Sequence, residues 1–173
     1  MSPLEIKALI VDVPDFPKPG IVFKDITPVL AQPAAFKAVV EQLAERGARL
    51  HCDGVLAIES RGFILGAPIA QRLGLPLHLV RKRGKLPRAA ITVSYELEYG
   101  VDHLEVHADA IARGGRYLIV DDVIATGGTA AAVASLVAQQ GATVAACLFL
   151  IELTFLAGRG KLGAVEVFSL VSY

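Results

Sequence analysis

Apolar and polar positions follow two rhythms along the 173-residue chain, and the switches between them mark its elements. Short apolar runs at residues 54–58, 76–80, 116–120, 143–151 and 165–171 predict strands buried on both faces. Helical spacing fills much of the space between them. In residues 33–46, Phe36, Val39, Val40 and Leu43 fall on one face, and Pro33 suits a helix start. Residues 61–73 read as a second helix, closed by Gly74, and 129–140 as an Ala-rich third. Residues 1–9 read as a short helix. Residues 12–20, with Pro14, Pro17 and Pro19, read as a loop, and 81–88 as a basic loop. Ile91, Val93 and Tyr95 alternate with polar residues, so 90–98 and 103–107 predict two strands around a turn at Gly100, a hairpin expected to project from the core. Repeated strand–helix–strand units predict one α/β domain, a central, mainly parallel sheet with helices on both faces. Ligands of such sheets bind beyond the carboxyl ends of the strands. The informative positions therefore follow Ile58, Val80 and Val120.

Composition narrows the function classes. Apolar residues are 54% and charged residues 20%, which excludes a disordered chain. Area scaling lets a chain of this size bury about 70% of its unfolded surface, enough for a core without staples. Lys+Arg and Asp+Glu both total 17, so the basic excess of a phosphate-gripping nucleic-acid binder is missing. The mean hydropathy of +0.54 raises the question of a membrane span. The best candidate, residues 141–158, is interrupted by Glu152, and its unbroken part, 144–151, is far too short. Glu5 and Lys7 break the N-terminal apolar stretch, so no targeting signal is read there. Cys52 and Cys147 lie far apart and fit no metal-ligand spacing. Free thiols in a reducing compartment follow, and with them a cytoplasmic location.

The strongest chemical signal is the run from Tyr117 to Thr129. An apolar strand ends in Asp121 and Asp122; Val123, Ile124, Ala125 and Thr126 follow, then Gly127, Gly128 and Thr129 open a helix. Glycines let a backbone curl and offer its N–H groups, and a helix N-terminus favours an anion. With the Thr126 and Thr129 hydroxyls this is a phosphate cradle. The two acids, one loop away, suit the vicinal hydroxyls of a ribose whose 5′-phosphate sits there. The plainer reading is an acidic turn with a helix cap, but adjacent acids after a buried strand are costly without partners. The Gly-Lys-Ser/Thr ending of a Walker loop is absent. Residues 158–163, Gly-Arg-Gly-Lys-Leu-Gly, match G-x-G-x-x-G, but no helix pattern follows them, so they read as a glycine-rich surface turn.

The segment from Val120 to Thr129 resembles the phosphoribosyl-pyrophosphate signature of type I phosphoribosyltransferases. Residues 16–28, Glu59-Ser60-Arg61-Gly62-Phe63, the run from Arg81 to Pro87 and Leu97-Glu98-Tyr99-Gly100 resemble the adenine branch of that family, in its order. The resemblance implies transfer of a phosphoribosyl group to adenine, with release of pyrophosphate. It implies a hood over about residues 1–30, a mobile loop over about residues 88–108 and a homodimer. Its donor-binding residues would be Asp121, Asp122, Ala125, Thr126, Gly127, Gly128, Thr129, Glu59, Ser60, Arg61, Arg81, Lys85 and Tyr99. Val22, Phe23, Lys24 and Val123 would surround adenine. Glu98 would help move the proton of the purine, and Arg61 would steady the departing charge. Mg²⁺ would be held by donor oxygens with no direct protein ligand. Ala125 replaces the acid that hypoxanthine and guanine enzymes carry just before the Thr-Gly, and orotate enzymes carry Thr-Ala-Gly there.

Residue spacing alone leaves plainer readings open. Ser60 fits an ordinary helix cap, residues 81–85 a solvated basic loop, Glu98-Tyr99 an exposed turn and Phe23 a core position. Two other functions are also compatible with the signature: transfer to another purine base, and sensing of the sugar donor by a regulator without catalysis. The four histidines show no catalytic spacing.

Overall fold

The computed structural model describes residues 1–97 and 100–173. The chain runs α1 (Pro3–Lys7), β1 (Val11–Pro14), β2 (Val22–Asp25), α2 (Thr27–Ala31), α3 (Pro33–Ala48), β3 (Gly54–Ile58), α4 (Arg61–Leu73), β4 (Leu77–Lys82), β5 (Ala90–Leu97), β6 (Gly100–His107), β7 (Arg116–Ile124), α5 (Gly128–Gln139), β8 (Thr143–Glu152), two short 3₁₀ turns (Thr154–Leu156 and Gly158–Leu162) and β9 (Glu166–Ser172).

Seven strands form one sheet in the order β5-β6-β4-β3-β7-β8-β9. The five from β4 to β9 are parallel, as each is reached through a crossover. Their residues are apolar on both faces because both faces are covered. Val55, Leu118, Val120 and Leu148 pack with Val39 and Leu43 of α3 and Leu65 and Ile69 of α4. Their neighbours Leu56, Ile119, Cys147 and Phe149 pack with Val133, Leu136 and Val137 of α5. Each fully buried Leu, Ile or Phe in these layers contributes about 1.5–3 kcal/mol. The central prediction, a mainly parallel sheet between helical layers, is what the chain forms.

Several boundaries differ from the sequence reading. Residues 12–20 are only partly loop: β1 and β2 pair antiparallel as a separate two-stranded sheet, a long-range pairing that no proline count reveals. This small sheet is tied to the C-terminus, because Lys24, paired with Asp12 at 2.7 Å, also lies 3.9 Å from the centre of the Tyr173 ring. The hairpin β5–β6 is not a separate projection at its base. It extends the main sheet, since β6 pairs antiparallel with β4 at Arg81 and Lys82. That pairing also carries β4 to Lys82, so the basic segment begins on a strand. Strand β7 runs past Val120 to Ile124 because β8 continues beside it, placing Asp121 opposite Phe149 and Ile124 opposite Glu152. Both acids therefore lie inside the strand. Among the described residues, no helix is long and apolar enough to cross a membrane.

Candidate active site

Strands β3, β4 and β7 are neighbours and run the same way, so Glu59, the end of β4 and the acids of β7 gather at one edge of the sheet. Two strand-to-helix junctions define the place. The first, from β7 to α5, is the predicted cradle. Gly127 takes φ +77° at the N-cap of α5, a conformation that suits glycine. A Cβ there would also overlap the carbonyl of Gly158, and a Cβ on Gly158 would overlap the carbonyl of Ala125. The two backbones thus touch where side chains are missing. The glycine-rich turn at residues 158–163 is a surface turn at Arg159, Gly160, Lys161 and Gly163, but Gly158 and Leu162 are buried, and Gly158 backs the cradle. An open cleft with a cavity volume of about 90 Å³ is lined by Asp121, Val123, Ala125, Thr126, Gly128 and Thr129, among others.

Within β7, adjacent residues face opposite ways. Asp121 lies on the α5 side and lines the cleft. Its Oδ1 accepts the backbone N–H of Asp122 at 2.8 Å. Burial, and then the nearby Asp122 charge, raise its carboxyl well above the ordinary range. Asp122, only 3% exposed, lies on the α4 side and pairs with Nε of Arg61. The two carboxylates stay close enough to interact, and Oδ1 of Asp121 also lies 3.0 Å from where a Cβ of Gly62 would stand. One faces the cleft, and the other is neutralised by the first residue of α4. That helix can approach because Gly62 follows Arg61: a Cβ at Gly62 would lie 2.8 Å from the Val120 carbonyl oxygen.

The second junction, from β3 to α4, is built from charges. Ser60 occupies the N-cap of α4 but makes no side-chain cap bond, so the plain-cap reading does not describe it. Glu59 accepts two bonds from Arg81, Nε to Oε2 and Nη2 to Oε1, both 3.2 Å, and one from the backbone N–H of Lys82 at 3.0 Å. The Arg81 guanidinium holds the Glu59 carboxyl below its usual range. Arg81 also donates to the carbonyl of Lys85 at 3.1 Å, which folds residues 81–85 back on themselves. Arg61 lies 5.3 Å from the centre of the Phe23 ring, so one guanidinium bridges Phe23 and Asp122. Phe23 packs edge-on against Phe16 at 5.2 Å, and Val22 is 47% exposed beside it.

Of the predicted residues, Asp121, Val123, Ala125, Thr126, Gly127, Gly128 and Thr129 gather around one cleft, and Arg61 joins Phe23 to Asp122. Lys24 is turned to Asp12 and Tyr173. Glu98 and Tyr99 lie outside the described residues. Tyr95 was not among the predicted site residues. Its hydroxyl donates to Asp102 at 3.2 Å and also meets the Thr129 side chain, tying β5 to the start of α5. Its inward phase on β5 was visible in the alternation, but its partners lie far off in sequence.

A model of the phosphoribosyl transferase domain matches residues 26–168, which is most of the chain and includes both junctions. The chain belongs to the phosphoribosyltransferase family. Its relatives place it in the adenine branch. An adenine phosphoribosyltransferase of Carboxydothermus hydrogenoformans is 55% identical over 170 residues, covering 98% of this chain and 100% of that protein. The crystal structure of the Thermoanaerobacter pseudethanolicus adenine phosphoribosyltransferase superposes with a TM-score of 0.96 at 50% identity, covering 99% of this chain and 100% of that one. The Saccharomyces cerevisiae adenine phosphoribosyltransferase, solved with adenine and an imino-altritol bisphosphate, gives 0.90 at 40% identity, over 97% of each chain.

Proposed function

We propose that this phosphoribosyltransferase joins adenine to the 5-phosphoribosyl group of phosphoribosyl pyrophosphate, giving AMP and pyrophosphate. The observation that carries the reading is the cradle at Gly127, its acid neighbour Asp121 facing the same cleft. The 5′-phosphate sits on the N–H groups and hydroxyls from Ala125 to Thr129, where the helix dipole favours an anion. Asp121 takes the ribose hydroxyls. Asp122 joins it as Arg61 turns toward the donor's pyrophosphate. Ser60 and the residues around it, with Arg81 and Lys85, complete the pyrophosphate side, and Glu59 holds Arg81 in place.

Adenine stacks on Phe23, reads the backbone of Val22 and Lys24 at its amino edge and packs near Val123. The purine nitrogen forms its bond to the anomeric carbon as the bond to pyrophosphate breaks. Glu98 accepts the proton that the nitrogen loses, and Tyr99 helps close the site, as the family resemblance implies. The transition state carries oxocarbenium character, so holding the reactants in line and meeting the developing charge supply the catalysis. Mg²⁺ is held by oxygens of the sugar donor and by water rather than by direct protein ligands, as suits a cation that keeps much of its shell in substrate and water oxygens; among the described residues no acidic or histidine cluster could hold it alone. When bound, Mg²⁺ neutralises charge on the leaving pyrophosphate. The family resemblance supports a homodimer with a hood at residues 1–30 and a mobile loop at 88–108. Two free thiols, Cys52 and Cys147, support a cytoplasmic location.

A product assay tests the reading. Purified protein is given phosphoribosyl pyrophosphate, Mg²⁺ and one base at a time: adenine, hypoxanthine, guanine, xanthine or orotate. AMP from adenine alone is expected. Product from another base would overturn the assignment of the pocket at Ala125 and Phe23. Donor binding without product from any base would favour the sensor reading.

A further inference from the structure

We infer that Lys161 is a phosphate-binding residue of the cradle, supplying the positive charge that its neutral N–H groups and hydroxyls lack. The inference rests on the reading of this site as the seat of the donor's 5′-phosphate. Lys161 sits on the 3₁₀ turn Gly158–Leu162, whose first residue is pressed against Gly127. Leu162, buried on the far side, fixes the turn. The Lys161 ammonium lies 3.9 Å from the point where a Cβ of Gly128 would stand. Gly128 is the first residue of α5, so the ammonium hangs over the helix end that presents its free N–H groups.

The same turn carries a second cation, and the contrast is informative. Arg159 is committed. It donates from Nε and Nη2 to the two carboxylate oxygens of Glu152, each at 2.5 Å, and from Nη1 to the Val167 carbonyl at 2.6 Å. That network neutralises a carboxylate only 6% exposed and holds the turn to β8 and β9. Lys161, by contrast, is exposed and has no ion pair among the described residues. One cation of the turn builds the wall. The other faces the place where a phosphate dianion would lie, and among the described residues no carboxylate takes its charge. A flexible ammonium suits this role, since it meets a phosphate as a point charge without a fixed fork.

The test uses the full-length protein with Lys161→Ala and Lys161→Arg. Titration calorimetry measures ribose 5-phosphate, and separately pyrophosphate with Mg²⁺, which occupies the other junction. A charge-assisted phosphate contact predicts that Lys161→Ala weakens ribose 5-phosphate about tenfold. Pyrophosphate affinity and the thermal midpoint stay at their wild-type values, and Lys161→Arg recovers most of the loss. In turnover, Lys161→Ala raises the KM for the sugar donor by the same factor and leaves kcat within about twofold, the pattern of uniform binding. Wild-type ribose 5-phosphate affinity in Lys161→Ala would overturn the inference and leave the proposed function standing. Equal loss of both ligands would also overturn it, since a distorted site rather than a missing charge is then responsible. A wild-type protein that neither binds ribose 5-phosphate nor makes AMP would overturn the functional reading and this inference with it.

Discussion

The two junctions at the catalytic edge do similar topological work with opposite materials. The β7–α5 junction is made of glycine, small hydroxyl residues and touching backbones, and Gly127 meets Gly158 with no side chain between them. The β3–α4 junction is made of paired charges: Glu59 with Arg81, and Arg61 with Asp122. The first is preorganised, because its donors are main-chain groups fixed by the fold. The second must exchange partners, because Arg61 and Arg81, two cations that a pyrophosphate would attract, are each already held by a carboxylate. A cradle of the first kind suits the phosphate that remains on the sugar. A set of ion pairs suits the group that must be gripped and then released.

Three substitutions put that contrast under load. The largest effect is expected for Gly127→Ala. An L-residue at φ +77° costs about 1–2 kcal/mol, and overlap with the Gly158 carbonyl brings the total to about 3 kcal/mol. Thermal unfolding should fall accordingly, and ribose 5-phosphate affinity should drop about 100-fold or more. A variant with wild-type midpoint and affinity would mean that the cradle is not the rigid part of the site.

Asp121→Asn comes next, and its two readouts move in opposite directions. The folded state holds the Asp121 proton more tightly than the unfolded chain does, because burial and the nearby Asp122 charge raise its carboxyl well above the ordinary aspartate range. Its contribution to stability is therefore complete below the ordinary aspartate range and is lost as pH rises through the raised folded-state pKa. The amide carries no such charge. Asp121→Asn should be more stable than wild type by about 1 kcal/mol at neutral pH and lack this pH-dependent decline. Turnover should fall about 100-fold if the carboxylate holds the ribose. Denaturant midpoints across pH check the first statement and initial rates the second. A less stable Asp121→Asn would contradict the electrostatic account of β7.

The smallest effect belongs to Glu59→Gln. It leaves the fold intact and frees Arg81, whose pairing here is only partly shielded from water. An ion pair of that kind is worth up to about 1 kcal/mol, so pyrophosphate affinity should change by no more than about fivefold, with ribose 5-phosphate unaffected. A loss at the sugar-phosphate end would blur the distinction between the junctions.

The same division explains how much was legible in the sequence. Gly127, Gly128 and Thr129 announce the cradle because its function is local: a strand, a tight turn and a helix start, all within ten residues. The apolar runs announce the parallel sheet for the same reason, and β3 and α4 fall at residues 54–58 and 61–73 as the pattern predicts. The charge pairs are different. Arg61 and Asp122 are 61 residues apart, and Arg81 and Glu59 are 22 apart, so the sequence shows cations and acids but not who holds whom. Gly158 shows what a turn pattern leaves out. No helix follows its glycine motif, so the segment is a turn, yet its missing Cβ is what lets that turn close on Gly127, a contact that spacing does not show. The β1–β2 sheet was hidden by prolines that read as loop, though Pro14 ends an edge strand where a missing N–H costs nothing. The Cys147 thiol, pushed up to about 12 by burial, is the inert core residue its strand implied.

The central claim is that the junctions hold two different parts of one donor at the same time. It is tested most directly by titrating pyrophosphate with Mg²⁺ into the protein alone and into protein saturated with ribose 5-phosphate. The account predicts that pyrophosphate still binds to the saturated protein, with one site per chain and an affinity within a few-fold of the first titration. Loss of pyrophosphate binding on saturation, with the two anions competing for one place, would contradict it.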